Sequence, residues 1–266
     1  MRKGGWVLQI GLLLLMGMGV GLEPIPSTAG EKQTSGPFLG PERIFIYTAK
    51  RLGIPILKAS IKIENGSSEQ GKPLYQIHAD IDSLNYLKFL FRMNNRFVST
   101  IDVETCSPVR YVKEIDQQGF LTKRKNYIQI LTFDFQNRKV VSEKGENKEK
   151  QEFALSPETF DPLSMFAKYY LKENLQPGQN IPMSIFDGVK MRQMVFHSKK
   201  EKVKSNMFGE VEAVCLESTT SFSTFNDREG MIRIWYTADG KKIPILIGLG
   251  LPIGDVIFEL ESIKEG

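Results

Sequence analysis

Between Ile44 and Leu260 the chain repeats one pattern: short runs of β-branched and aromatic residues alternate with polar ones, and turn-forming dipeptides separate the runs. A period of two places one row of side chains on each face of a strand, so this spacing commits the chain to half-buried, mostly antiparallel strands. The clearest case is Leu131, Phe133 and Phe135 against Thr132 and Asp134. The same alternation recurs with Ala59, Ile61 and Ile63, and again with Val256, Phe258 and Leu260. Asn65-Gly66, Asp187-Gly188 and Asp239-Gly240 fall where tight hairpins need residues that tolerate positive φ. Ser107-Pro108, Gln118-Gly119 and Gln136-Asn137 punctuate the middle of the chain.

One segment breaks this rhythm. From Asp161 to Leu171 the apolar residues Leu163, Phe166, Ala167, Tyr170 and Leu171 form a helical stripe, with Asp161 as the cap and Pro162 in the first turn. Leu84 to Phe91 fits either a short helix after Ser83 or a buried strand, with the helix preferred. Glu143 to Glu152 reads as an exposed charged loop, and the lysine-rich stretches Lys123–Lys125 and Lys199–Lys204 as solvated loops between strands. The fold class expected is mainly β with one clear α-helix (α+β), a curved antiparallel sheet or half-open barrel similar in outline to the lipoprotein-carrier fold.

The N-terminus reads as a removable secretory signal over residues 1–29. Arg2 and Lys3 precede an apolar stretch from Val7 to Leu22, and Ser27, Thr28 and Ala29 supply the small residues of a cleavage site. A spanning helix needs about 20 apolar residues; this run is shorter and glycine-rich, and no later segment reads as transmembrane. Residues 30–41 form a flexible lead-in and 42–266 a single β-rich domain. Export places the protein outside the cytoplasm. Loss of Arg2, Lys3 and Glu23 changes the formal charge from +4 to +3, an interspersed balance that gives no reason to expect a nucleic-acid partner. Cys106 and Cys215 allow two states, a disulfide formed in an oxidising compartment or two buried thiols. The disulfide would close a loop of more than a hundred residues and contribute on the order of 4 kcal/mol.

No serine elbow, phosphate-cradling glycine loop or zinc-protease helix is present, so no catalytic residue and no cofactor is assigned. His78 and His197 lie in separate strands without a thiol pair, and no metal is expected. The motifs Asp161-Pro162-Leu163-Ser164, Trp235-Tyr236-Thr237-Ala238-Asp239-Gly240 and Lys242-Ile243-Pro244 resemble those of the exported bacterial family of domain of unknown function 3108, over roughly Glu42 to Leu260. That resemblance implies a fold and a compartment, the periplasm or an outer-membrane association in a bacterium, and no reaction. Within it Asp161, Pro162, Ser164, Asp239, Gly240 and Pro244 read as structural: a helix start and a tight hairpin beside an indole. Two functions follow. The first is a non-enzymatic carrier of a lipid or acyl chain, lined by Phe133, Phe135, Phe166, Tyr170, Trp235 and Phe258. The second is an envelope scaffold that binds another envelope protein through a solid fold. A hydrolase using Asp161, Ser164 and Asp239 ranks last.

Overall fold

The structure, a computed structural model, describes residues 42–66, 72–119, 124–145, 149–222, 227–252 and 254–266. The segments read as a signal and a lead-in, and Lys123, lie outside them. The strands are β1 (Arg43–Arg51), β2 (Ile54–Asn65), β3 (Leu74–Ser83), β4 (Phe91–Asp102), β5 (Pro108–Gly119), β6 (Lys125–Asp134), β7 (Lys139–Lys144) and β8 (Glu149–Ala154). After the two-residue β9 (Thr159–Phe160) comes the helix α1 (Pro162–Leu171). Then follow β10 (Asn180–Phe186), β11 (Met191–Ser205), β12 (Gly209–Phe222), β13 (Arg228–Thr237), β14 (Pro244–Leu251) and β15 (Gly254–Glu265).

All fifteen strands belong to one sheet in the order β8-β7-β6-β5-β4-β3-β2-β1-β15-β14-β13-β12-β11-β10-β9. Neighbours in the sheet are neighbours in the chain except at β1–β15, and every pair is antiparallel except β9–β10. The turns therefore alternate between two ends. The upper end carries the β1–β2, β3–β4 and β10–β11 turns; the lower end carries those of β4–β5, β6–β7, β11–β12 and β13–β14.

The sheet is curled around α1. The helix packs on β3 and β4 on one side and on β9 and β10 on the other. The Tyr170 ring meets Phe45 of β1 edge-on at 5.2 Å, and Phe166 meets Tyr236 of β13 at 6.3 Å. Seven of its ten residues are buried, which explains why its apolar stripe is broad. The curl brings the two ends of the sheet together without a strand ladder between β8 and β9. Instead Lys113 of β5 donates to the Asp187 carbonyl at 2.6 Å and Gln129 of β6 donates to the Gly188 carbonyl at 2.8 Å. Phe153 of β8 packs on Phe186 with ring centres 4.9 Å apart. These contacts form a seam made of side chains.

Three segments differ from the sequence reading. Leu84 to Phe91 contains only a 3-10 turn at Asn85–Leu87 before β4 begins. Leu87 and Leu90 pack on the core and Phe91 is buried, but Tyr86 is 55% and Phe89 72% exposed, so the buried part of the run is too short to hold more than one turn. The run Glu143 to Glu152, expected as a loop, holds the end of β7 and most of β8, paired as a hairpin and pinned across strands by Lys139–Glu152 at 3.1 Å and Glu143–Lys150 at 2.8 Å. A charged, exposed strand suits the sheet's free edge, where it discourages pairing with another chain. Lys199–Lys204 is likewise strand, the later half of β11, matched to β12 by Lys199–Glu217 and Lys200–Glu212 at 2.9 and 2.7 Å.

Close backbone approach fixes one glycine. A methyl group at Gly230 of β13 would overlap the Gly250 carbonyl oxygen and the Phe222 ring. Gly230→Ala is therefore expected to cost about 2 kcal/mol by overpacking. Gly240→Ala, where nothing lies within 4 Å, serves as the control. Urea denaturation of the two variants checks this; equal midpoints would refute it.

Candidate functional site

The site begins with the start of α1. The Asp161 carboxylate accepts from the backbone N–H groups of Leu163 and Ser164 at 2.8 and 3.0 Å, and from the Ser99 hydroxyl of β4 at 2.7 Å. The Asp161 N–H in turn donates to the Ser164 hydroxyl oxygen at 2.9 Å, completing a capping box. Burial pushes the Asp161 carboxyl above its ordinary pKa, and these donors oppose the rise. The cap anchors α1 to β4, and the Leu163 and Phe166 side chains face the upper half of the shell.

Above that floor lies a cavity of about 250 Å³. One wall is Ala59 and Ile61 of β2 with Ile81 and Ala79 of β3, paired Ala59–Ile81 and Ile61–Ala79 across the strands. The alternation of short and long side chains leaves space opposite the helix. The far wall is Ile232, Ile234, Ile247, Leu249 and Phe258. Ile185, Met194, Asp187 and Arg192 of the β10–β11 hairpin complete it, and it reaches the surface at the upper end beside the partly exposed Val189. Asp187 and Arg192 are held as an ion pair at 2.6 Å. The lining is thus almost wholly apolar, a surface that takes up hydrocarbon by burial.

Beside the cavity, on the inner face of β4 to β7, the character changes. Lys113 is fully buried, stands across from cavity-lining Phe97 on β4 and Gln129 on β6, and is two residues from cavity-lining Tyr111. Burial pushes its ammonium down to about 7; the Asp187 carboxylate opposes this, and Lys144 and Arg192 add to it. Lys125 pairs across from Gln117, and Lys144 from Gln129, so both share this inner face, and burial lowers both. The side-chain nitrogen of Asn95, both amide atoms of Gln117 and the amide oxygen of Gln129 are buried without a hydrogen-bond partner.

Of the residues singled out from the sequence as lining, Phe166 and Phe258 border the cavity. Phe133 is buried farther down β6, Phe135 is 38% exposed in the β6–β7 turn, and Tyr170 packs at the lower end, where Arg43 donates to its hydroxyl at 2.6 Å. Trp235 lies on the outer face. Its neighbours Ile234 and Tyr236 point inward, and its indole N–H donates to Glu201. Cys215, directly across from Trp235, shares that outer face, whereas Cys106 lies in the β4–β5 turn at the lower end. Both are free, buried thiols, pushed up to about 11 for Cys106 and about 12 for Cys215 by burial. With six strands between β4 and β12 in the sheet, an outward side chain on one cannot reach the other cysteine, so the disulfide alternative is corrected to two thiols. Asp239 accepts from the Thr237 hydroxyl and the Lys241 N–H in the β13–β14 turn, with Gly240 next to it, and the Pro244 carbonyl accepts from the Tyr47 hydroxyl. Asp161 and Ser164 therefore work at the helix cap, and Asp239 in a separate turn. Among the described residues no group of three or more His, Cys, Asp or Glu is placed to hold a metal ion, and no helix is long and apolar enough to cross a membrane.

Alanines at inward positions 59 and 79 were the sequence signal for the cavity; large aromatics pointed elsewhere because they fill space. Lys113 was also visible as a lysine at an inward position between Tyr111 and Ile115.

A long antiparallel sheet curled around one helix, enclosing an apolar cavity, defines a mainly β, barrel-like protein. The chain belongs to the DUF3108 family, described as proteins of unknown function, whose model matches residues 45–261. It is similar in fold to a crystal structure described as a β-barrel-like protein of domain of unknown function DUF1849 from Brucella abortus. That match has a TM-score of 0.53 and 12% sequence identity, and covers 85% of this chain and 98% of that one. No curated protein matches the sequence.

Proposed function

We propose that this is an exported bacterial envelope protein that binds an apolar chain, such as the acyl chain of a lipid, without catalysing a reaction. The observation that carries the reading is the cavity of about 250 Å³ between the helix floor and the sheet, which opens to the surface at one end. An engineered cavity of about 150 Å³ already takes up benzene. Each buried methylene contributes about 0.8 kcal/mol. A lipoprotein-carrier outline, with α1 as the plug of a half-open barrel, fits this use, and the signal-like leader supports export to the periplasm or outer membrane. Engagement of Asp161 and Ser164 in the helix cap supports a non-catalytic role for both.

Native mass spectrometry of protein purified gently from its own envelope fraction, followed by organic extraction, tests the reading. A stoichiometric apolar molecule is expected. Ala79→Phe, which fills the cavity wall, is expected to lower uptake of that molecule about tenfold or more. Unchanged uptake by a folded Ala79→Phe variant would refute the site.

A second reading, an envelope interaction module, is favoured by Leu52, Ile54, Tyr86 and Phe89, exposed by 55% or more on two adjoining upper turns. Tyr86 donates to the Pro55 carbonyl, which joins those turns. A clean ligand-free mass, with a partner complex lost on Leu52→Ser and Phe89→Ser substitution, would favour this reading over the first.

A further inference from the structure

We propose that the inner face of β4 to β7 is a binding site for an anionic head group, a carboxylate or a phosphate monoester, on the molecule whose apolar part fills the cavity. The inference rests on the apolar-chain reading and names the ligand's other end. Lys113, Lys125 and Lys144 all face inward there. The acids nearest Lys113 and Lys144 are poorly placed to neutralise them. Asp187 is engaged by Arg192 at 2.6 Å, and Glu149, across from Lys144 on β8, is exposed. The Lys113 ammonium donates to a neutral carbonyl, that of Asp187, and has two further N–H bonds to give. A buried ammonium with a single neutral acceptor is poorly compensated, and a carboxylate or phosphate oxygen beside it would form a short charge-assisted hydrogen bond.

Two buried amide donors fit the same ligand. The Asn95 side-chain nitrogen and the Gln117 amide nitrogen are buried donors without partners, and buried polar groups are normally satisfied. The site also adjoins the apolar cavity. Phe97, across the strand from Lys113, lines the cavity, as does Asp187, whose carbonyl holds the ammonium. An amphiphile lying in the cavity would therefore present its acid toward Lys113 without leaving the shell, by moving the ammonium from a backbone carbonyl to its own oxygen. Position in the fold gives Lys113 this role; Lys125 and Lys144, half-buried farther toward the upper end, supply the surrounding positive potential.

Calorimetric titration of decanoate, decyl phosphate and methyl decanoate into the full-length protein and its Lys113→Met variant tests the proposal. At least one of the two anions is expected to bind about tenfold more tightly than the uncharged ester. Lys113→Met is expected to bring that anion to the ester's affinity while leaving the ester unchanged. Which anion shows the preference identifies the head group. Lys144→Met, which keeps Lys113, is expected to lower anion affinity by a smaller factor, about threefold, and guards against a folding artefact. Equal binding of ester and both anions, unaffected by Lys113→Met, would overturn the head-group site while leaving the apolar cavity standing. Absence of binding by all three ligands would overturn both.

Discussion

Lys113→Met is expected to raise the thermal unfolding midpoint by several degrees at about pH 6, and the gain should be mostly gone near pH 10. Lys113 is fully buried, and its ammonium is pushed down to about 7 from the ordinary 10.5. The folded chain therefore holds fewer protons than the unfolded chain between those two values, and stability rises with pH across that window. Below about pH 7 the full penalty of the buried charge is present, on the order of 3–5 kcal/mol. Asp187 partly offsets it, while Lys144 and Arg192 increase it; Phe97 and Gln129 are its uncharged neighbours across the strands. Methionine matches the length, removes the charge and leaves the Asp187 carbonyl without its donor, a loss of about 1 kcal/mol. Differential scanning calorimetry of both proteins from acid to alkaline pH reads the difference directly. A gain independent of pH would show that Lys113 is not the titrating group.

The second large effect is at the helix start. Asp161→Ala is expected to cost about 3 kcal/mol, because it strands two helix N–H donors and the Ser99 hydroxyl inside the shell. Asp161→Asn should behave differently. Its amide oxygen can accept from the same N–H groups, and it carries no charge to bury. Burial raises the Asp161 carboxyl above 3.8, so its contribution is fully favourable below that value and declines as pH rises through the folded-state pKa. The asparagine variant is thus expected to match the parent in acid, where both side chains are uncharged, and to rise above it at neutral pH, where the parent buries a charge. Urea titrations of the two variants at neutral and acid pH separate the lost cap from the lost charge. Equal, large losses for both variants would refute this account of the cap.

The strands carrying Leu131 and Phe133, Ala59 to Ile63, and Val256 to Leu260 could be read from the chain because one of their faces meets the interior and the other meets water. The helix was legible for the same reason, with its cap and proline in place. β8 and the later half of β11 were not, since their strand character comes from Lys–Glu pairs across neighbouring strands, and single-chain spacing carries no register. The lining aromatics Phe166 and Phe258 were found, but Trp235 was placed inside although it faces out. Alternation says that two faces exist; only the pairing of Ile234 with Ile247, and the contact of Tyr236 with the helix, says which face is inward. The basic inner face was hidden by the ordinary expectation that lysines are solvated.

The order of the sheet also dictates how the chain assembles. Every ladder from β2 to β8, and from β10 to β14, joins strands that are consecutive in the chain, so each of these meanders forms from local pairings. The single ladder that joins the two halves is β1 with β15, which ties Arg43 to Glu265. Because β15 follows every other strand, β1 has an unfilled edge throughout synthesis. The shell becomes continuous only when the final strand is delivered, and until then the N-terminal half depends on being kept from pairing with another copy of itself.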